Sequence, residues 1–484
     1  MATKTIFEKS IKERKGYTLP KCEIKNKIGE LFPENLLRKD APQIPEVSEL
    51  DAVRHYIELS GKNHFIEKGF YPLGSCTMKY NPKINDIVNV LTGFTDIHPM
   101  QPEDTIQGAL QVMYELQNDL AEISGMAVVS LQPVAGAHGE FTGVNIIYNY
   151  HKNKRQHRTK IIMPDSSHGT NPATSAVHGF EVVELKSNKE GKVDIQALKE
   201  VLDNDVAGFM LTNPNTLGVF ETDVKEIADL IHSVDGLMYM DGANLNAMLG
   251  YIRPGDMGFD IVHFNMHKTF STPHGGGGPG GGGIGVSEKL VEYLPVPIVK
   301  KKDDIYYLDY DARYSIGKVH SYFGNFIVMV RAYIYLKMLG DKGLKRVAEN
   351  AVINSNYLMV KLLSEYPVPY QKNIMHEFVA CGEKFKEYGV KTLDIAKRLL
   401  DYGFHAPTIY FPLIVHEALM IEPTETESKE TLDNFAEVML KIAQEAKENP
   451  ELLNEAPQNT PVTRLDETNA IRNLDISRNL RRKK

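Results

Sequence analysis

The chain has 484 residues, 42% of them hydrophobic and 24% charged, with a formal net charge of −8. That balance describes a globular protein long enough for two or three domains, and its mild acidity argues against a general nucleic-acid binder. Three widely separated cysteines, Cys22, Cys76 and Cys381, give neither a disulfide framework nor a metal-ligand spacing. With no N-terminal apolar stretch and no long apolar span, the reading expects neither secretion nor a membrane, and a reducing cytoplasm fits.

Residues 1–50 are polar and punctuated by Pro20, Pro33, Pro42 and Pro45, which predicts an extended arm. A helix is expected over 48–60. The stretch FYPLGSCTMKYNP, 70–82, has little periodicity and reads as an irregular loop of the kind that can line a site. Ile106, Leu110, Met113, Leu116, Leu120 and Ile123 fall at helical spacing up to Gly125. A short strand over 127–131 then leads through QPVAGAHGE into another helix. Such a turn aims free N–H groups and the positive end of a helix dipole at an anion. Gly136 and Ala137 are therefore candidates to hold a phosphate, although a plain βα turn has the same pattern.

The strand over 160–164 ends in polar residues, and His168 just beyond it could stack on a flat ring or be structural. A helix near 174–178, a strand over 182–185 and a helix over 194–202 follow. The strand AGFMLT ends at Thr212 and Asn213, which could reach a cofactor oxygen or a substrate. After a helix over 222–233 comes GLMYMDGAN, 236–244, an apolar run ending in Asp241. The carboxyl ends of parallel strands carry ligand sites. A carboxylate there can pair with a protonated pyridine nitrogen and keep the ring cationic. Ala243 is small enough to lie against such a ring. Asp241 could also be a cap or turn residue.

The apolar run from Ile261 reads as a buried strand that turns at Asn265-Met266-His267-Lys268 into a glycine-rich stretch. The lysine precedes the glycines, so this is not a nucleotide P-loop. An amine at the end of a buried strand is partly desolvated and is a good nucleophile toward a carbonyl. Together with Asp241 it predicts a Schiff-base lysine and pyridoxal phosphate. The glycines would let backbone approach a ligand or another chain closely.

Alternating strands and helices predict a mostly parallel sheet covered on both faces. Beyond the glycines the pattern predicts an antiparallel strand over 284–287, a surface excursion over 300–313 and an apolar helix over 326–339. A crossing helix over 341–364 should then lead to strand 377–381, helix 392–402 and a charged amphipathic helix over 428–448. The basic end, 478–484, reads as a solvated terminus. The expected domains are an arm and irregular segment over 1–95, a large cofactor-binding domain over 96–335, and a small domain over 336–484.

Seven segments in order resemble the glycine cleavage system P-protein family: FYPLGSCTMKYNP, QPVAGAHGE, DSSHGTNPATS, YMDGANLNAMLG, FNMHKTFSTPHGGGGPGGGG, DYGFHAPT and MIEPTETESKE. The likeness runs from about Tyr71 to Glu430. It is to the lysine-bearing half of the family, which the two-chain bacterial form carries as subunit 2. It implies the fold type I architecture of pyridoxal-phosphate enzymes, α/β with a mostly parallel seven-stranded sheet covered by helices and a smaller C-terminal α+β domain. The implied activity is that of an aminomethyl-transferring glycine dehydrogenase, with pyridoxal 5'-phosphate covalently held on Lys268.

By the same resemblance Asp241 matches the pyridine partner, His168 the ring-stacking position, and Gly136, Ala137 and His267 phosphate neighbours. Ser75, Cys76, Thr212, Asn213, Asn244 and His405 are further candidates, and no metal is implied. The implied partners are glycine, a lipoylated H-protein, and subunit 1 in a heterotetramer of two plus two chains. Two other readings are an aminotransferase or cysteine desulfurase of the same fold, and a subunit that binds without reacting. Retention of both Lys268 and Asp241 speaks against the second. No residue is assigned as the acid or base that handles protons.

Overall fold

The structure is a computed structural model that describes residues 3–40, 42–275 and 280–474. The middle of the glycine stretch and the basic terminus over 478–484 lie outside the described residues. Seven short strands form the main sheet: β1 Val128–Ser130, β2 Lys160–Pro164, β3 Glu181–Leu185, β4 Val206–Thr212, β5 Leu237–Asp241, β6 Ile261–Asn265 and β7 Gly282–Val286. They lie in the order β1-β7-β6-β5-β4-β2-β3. Strands β2 to β6 pair in parallel, while β7 runs antiparallel to both β6 and β1. This is the mostly parallel sheet that the alternating pattern predicts.

Every residue of β5, β6 and β7 is buried, as strands covered on both faces must be. Their alternation is resolved by packing. Met238 and Met240 belong to the core on one face, with Leu116, Phe209 and Val262. Leu237 and Tyr239 belong to the other, with Ile161, Met210 and Ile261. The same period of two puts Asp241 on the face of Tyr239. Asp241 pairs in register with His263, so their side chains are neighbours.

The glycines that open β7 have a packing role. A Cβ on Gly283 would stand 2.3 Å from the Phe264 ring, and one on Gly285 would stand 2.8 Å from Met126 Cγ. At these two positions the close approach is to this chain's own side chains. The 300–313 stretch lies at the surface as expected, but with regular structure. Ile298–Lys302 (β8) and Ile305–Asp309 (β9) form an antiparallel hairpin. Gln117 anchors it, donating from its amide to the Val299 carbonyl at 3.0 Å. Lysine, aspartate and tyrosine on its outer positions mask the alternation in the sequence.

The helical run Phe326–Leu362 breaks at Gly340, whose φ of 57° leaves the helical region, so the expected two helices meet there. It leads to a second core built on β10 Phe378–Cys381, β11 Thr408–Ile409 and β12 Ala418–Ile421, in the antiparallel order β10-β12-β11. Helices Thr392–Asp401 and Lys429–Glu448 cover it through Ile395, Leu399, Leu432 and Phe435. The irregular 70–82 segment joins this sheet. Leu73 bridges to Ile421, and the Gly74 N–H donates to the Met420 carbonyl at 3.2 Å. A Cβ on Gly74 would lie 2.4 Å from Met420 Cγ, so that approach requires glycine.

Lys79, on the same segment, is buried and donates to Glu425 (2.7 Å), the Thr269 carbonyl (2.8 Å), Tyr335 (3.1 Å) and Asn246 (3.3 Å). Removing one partner of such a pair costs about 3–5 kcal/mol, because it strands the other charge out of water. The segment is thus clamped both to the second core and to the turn after β6. These elements lie within one compact unit, Gly69–Gln458. The described residues of Met1–Lys68 and Asn459–Lys484 make another, in which Ser48 caps the helix Glu49–Gly61. Among the described residues no helix is long and apolar enough to cross a membrane.

Candidate active site

Beyond the carboxyl ends of β4, β5 and β6 opens a cleft of about 130 Å³. Of the residues picked out in the sequence, Lys268, Asp241, His168, Ala243, Gly136, Ala137, Thr212, Ser75 and Asn244 line it. Cys76, His267, Asn213 and His405 do not. Asn213 clamps its own loop, accepting the Glu221 N–H at 2.9 Å. His405 packs against Tyr71, ring centres 4.1 Å apart, with Nδ1 2.7 Å from the Ala406 carbonyl.

Asp241 is held on three sides. Its Oδ2 accepts from the Asn171 amide at 3.1 Å, and its Oδ1 from the Ala243 N–H at 3.1 Å. His263 Nε2 stands 3.3 Å from Oδ1, at ion-pair distance but out of line for a hydrogen bond. On its other side His263 Nδ1 meets the buried Tyr239 hydroxyl at 2.6 Å. Burial alone would raise the Asp241 carboxyl. His263, the Asn171 hydrogen bond, Lys268 and the Ala243 N–H outweigh burial and hold the group below its ordinary value. A carboxylate ionised at neutral pH therefore faces the cleft.

His168 has its Nδ1 2.8 Å from Thr170 Oγ1, whose hydroxyl donates to the buried Glu140 at 2.6 Å. That chain fixes the ring's orientation at the mouth of β2. Gly136 opens the helix Gly136–Asn153, and no side chain caps it. The first N–H groups of a helix have no partner within it. A Cβ on Gly136 would lie 2.9 Å from the Asn265 amide nitrogen. The Thr212 hydroxyl and the Asn265 amide oxygen are both buried without a hydrogen-bond partner. Such atoms are costly unless a ligand completes them.

Lys268 is the charge around which the rest is arranged. Its ammonium acts on Asp241, Cys76, His267, His274, His376, Glu377 and Glu422. Burial, then Lys268 and His274, push His267 down to about 4, so its ring is neutral at pH 7. Burial, then Lys268, push His376 down to about 3.

Sequence reasoning missed His263, Asn171, Glu140, Asn265, His376, Glu377 and Glu422. His263 could have been found by counting: it sits two residues beyond Ile261 on a strand parallel to β5, in register with Asp241. Glu377 and Glu422 arrive on the far core, and only the quoted segment MIEPTETESKE pointed near them.

This sheet order, with one antiparallel strand and a lysine and an aspartate at adjoining strand ends, defines a fold type I enzyme of the pyridoxal-phosphate class. Solved structures share the fold. A glycine decarboxylase (P-protein) of the glycine cleavage system superimposes with a TM-score of 0.74 at 20% identity, covering 86% of this chain and 95% of that one. A sphingosine-1-phosphate lyase of Burkholderia pseudomallei gives 0.64 at 12% identity over 86% of this chain and 94% of that one. The family description "Glycine cleavage system P-protein" matches residues 15–308, and "Glycine dehydrogenase, C-terminal domain" matches 347–463. The chain belongs to the glycine cleavage system P-protein family. It is 59% identical to a probable glycine dehydrogenase (decarboxylating) subunit 2 of Chloroherpeton thalassium, covering 98% of each chain. A protein of the same description from Caldanaerobacter subterraneus subsp. tengcongensis is 61% identical, covering 97% of each.

Proposed function

We propose that this chain decarboxylates glycine with pyridoxal 5'-phosphate and passes the aminomethyl group to the lipoyl arm of an H-protein, releasing carbon dioxide. One observation carries the reading: Lys268 and Asp241 line the same cleft, from the ends of adjoining strands. When bound, the cofactor supplies an aldehyde that joins amines and a cationic ring that takes up electrons from the bond being broken.

The residues present fit such a group. Lys268 is the amine that would hold it. Asp241, kept ionised by its neighbours, would stand at the ring nitrogen, with Ala243 and His168 against the ring. The open helix start at Gly136 and Ala137 suits a phosphate, with neutral His267 nearby. The unpartnered Thr212 hydroxyl is free to bond the cofactor or the substrate. Partners follow the same reading: subunit 1, in a tetramer of two plus two chains, and the lipoylated carrier, in the cytoplasm. Three free cysteines suit a reducing compartment.

Labelled bicarbonate should exchange into glycine's carboxyl group when the chain, subunit 1, cofactor and lipoylated H-protein are mixed. Exchange without subunit 1 would keep the reaction and make that partner architectural. No exchange in either mixture, from protein shown to hold the cofactor, would contradict the reading and favour a transaminating one.

A further inference from the structure

Two carboxylates beside Lys268 have no task in the account above. Glu377 precedes β10 and lines the cleft; Glu422 follows β12. One oxygen of each, and a ring nitrogen of His376, lie within 4.8 Å of one another. Their exposures are 4% and 0%, so water does little to separate their charges.

Both are gripped by the segment that carries Ser75 and Thr77. The Ser75 N–H donates to Glu377 at 2.8 Å, and the Thr77 N–H to Glu422 at 2.9 Å. The Asn244 amide adds a bond of 2.7 Å to the other Glu422 oxygen. Ser75 and Thr77 have φ of 64° and 54°. A β-branched residue seldom adopts that left-handed backbone. Such strain persists where surroundings over-determine it. Here the strained turn aims two N–H groups at two buried carboxylates.

The titratable groups facing the pair are Lys268, Cys76 and His376. His376 is neutral at pH 7, so Lys268 supplies the compensating positive charge. Burial, then Glu422, pushes Glu377 well above the usual carboxylate range, and burial pushes Glu422 up as well. Two carboxylates this close in a dry site each disfavour the other's ionisation.

We propose that Glu377 and Glu422 hold one proton between them at neutral pH, and that Glu377 delivers it to the sulfur that departs when the carrier's cyclic disulfide opens. This rests on the reaction proposed above. As carbon dioxide leaves, glycine's methylene carbon bonds to one sulfur and the sulfur–sulfur bond breaks. The disulfide is reduced by two electrons, and glycine's two carbons together are oxidised by two. The second sulfur departs with an electron pair as a thiolate and takes one proton to become a thiol. The pair, left with two charges, regains its proton from water.

The test uses Glu377→Gln and Glu422→Gln; each keeps an oxygen for the Ser75 or Thr77 N–H, and the second sets its new amide N–H group against the Asn244 amide. Infrared difference spectra of the full chain should show a protonated carboxyl at neutral pH in the wild type and none in either variant. In the complex with subunit 1 and lipoylated carrier, Glu377→Gln should slow aminomethyl transfer by about 10²–10⁴-fold, the usual worth of a positioned acid. Its rate should recover as the pH falls, and its cofactor absorbance should match the wild type. Absence of the carboxyl band from the wild type overturns the shared proton. An unchanged transfer rate in Glu377→Gln overturns the donor role. A wild-type complex that does not decarboxylate glycine removes the donor role together with the reaction it serves, and the infrared band still decides the shared proton by itself.

Discussion

Replacing Lys268 with Ala is expected to abolish glycine turnover, by at least about 10³-fold, while leaving the fold intact. The side chain is half-buried at the end of β6, outside the hydrophobic clusters, so its loss opens no hole in the core. What it removes is chemical. The amine that would hold the cofactor is gone, and so is the cation that offsets Asp241, Glu377 and Glu422. Circular dichroism should match the wild type, while the melting temperature should fall, because buried carboxylates lose their compensating cation. Normal turnover by the variant would sink the assignment of Lys268.

Asp241→Asn should lower turnover by about 10²–10³-fold, on the order of 3–4 kcal/mol of lost charge pairing in a buried site. The substitution keeps size but removes the charge that would keep a pyridine ring cationic. It also turns one oxygen into a donor facing the Asn171 amide or the Ala243 N–H. The sign of the pH effect follows from the direction of the shift. The Asp241 carboxyl lies below its ordinary value of 3.8 in the folded chain, so stabilisation by its charge is complete above that value. It is lost only as pH falls through the depressed value. Cofactor retention through Asp241 should therefore stay flat across the neutral range, followed by absorbance. Wild-type turnover in Asp241→Asn would show that the ring needs no anion from this position.

The parts of the site legible in the sequence are those where strand physics and chemistry coincide. An apolar run that ends abruptly in Asp241, and another that ends in His267 and Lys268, announce buried strands with reactive ends. Small residues at Gly136 and Ala137 announce an open helix start in the same way. Residues that meet only through the sheet were harder to read. His263 looks like part of an apolar run until register sets it beside Asp241. Glu377 and Glu422 are separated from each other by three strands and the helices between them, and by far more chain from Ser75 and Thr77. No local pattern records that these three segments converge. The hairpin over 298–309 was hidden differently, because its outward positions carry the lysines and aspartates of a loop.

Lys268 as the residue that would hold the cofactor is central to the proposed reaction. The most direct check is to incubate the wild-type chain with pyridoxal phosphate, reduce it with borohydride, and map the pyridoxyl mass by peptide sequencing. The account predicts a single modified peptide, bearing the group on Lys268. A label on another lysine, or none on protein that has turned over glycine, would contradict it.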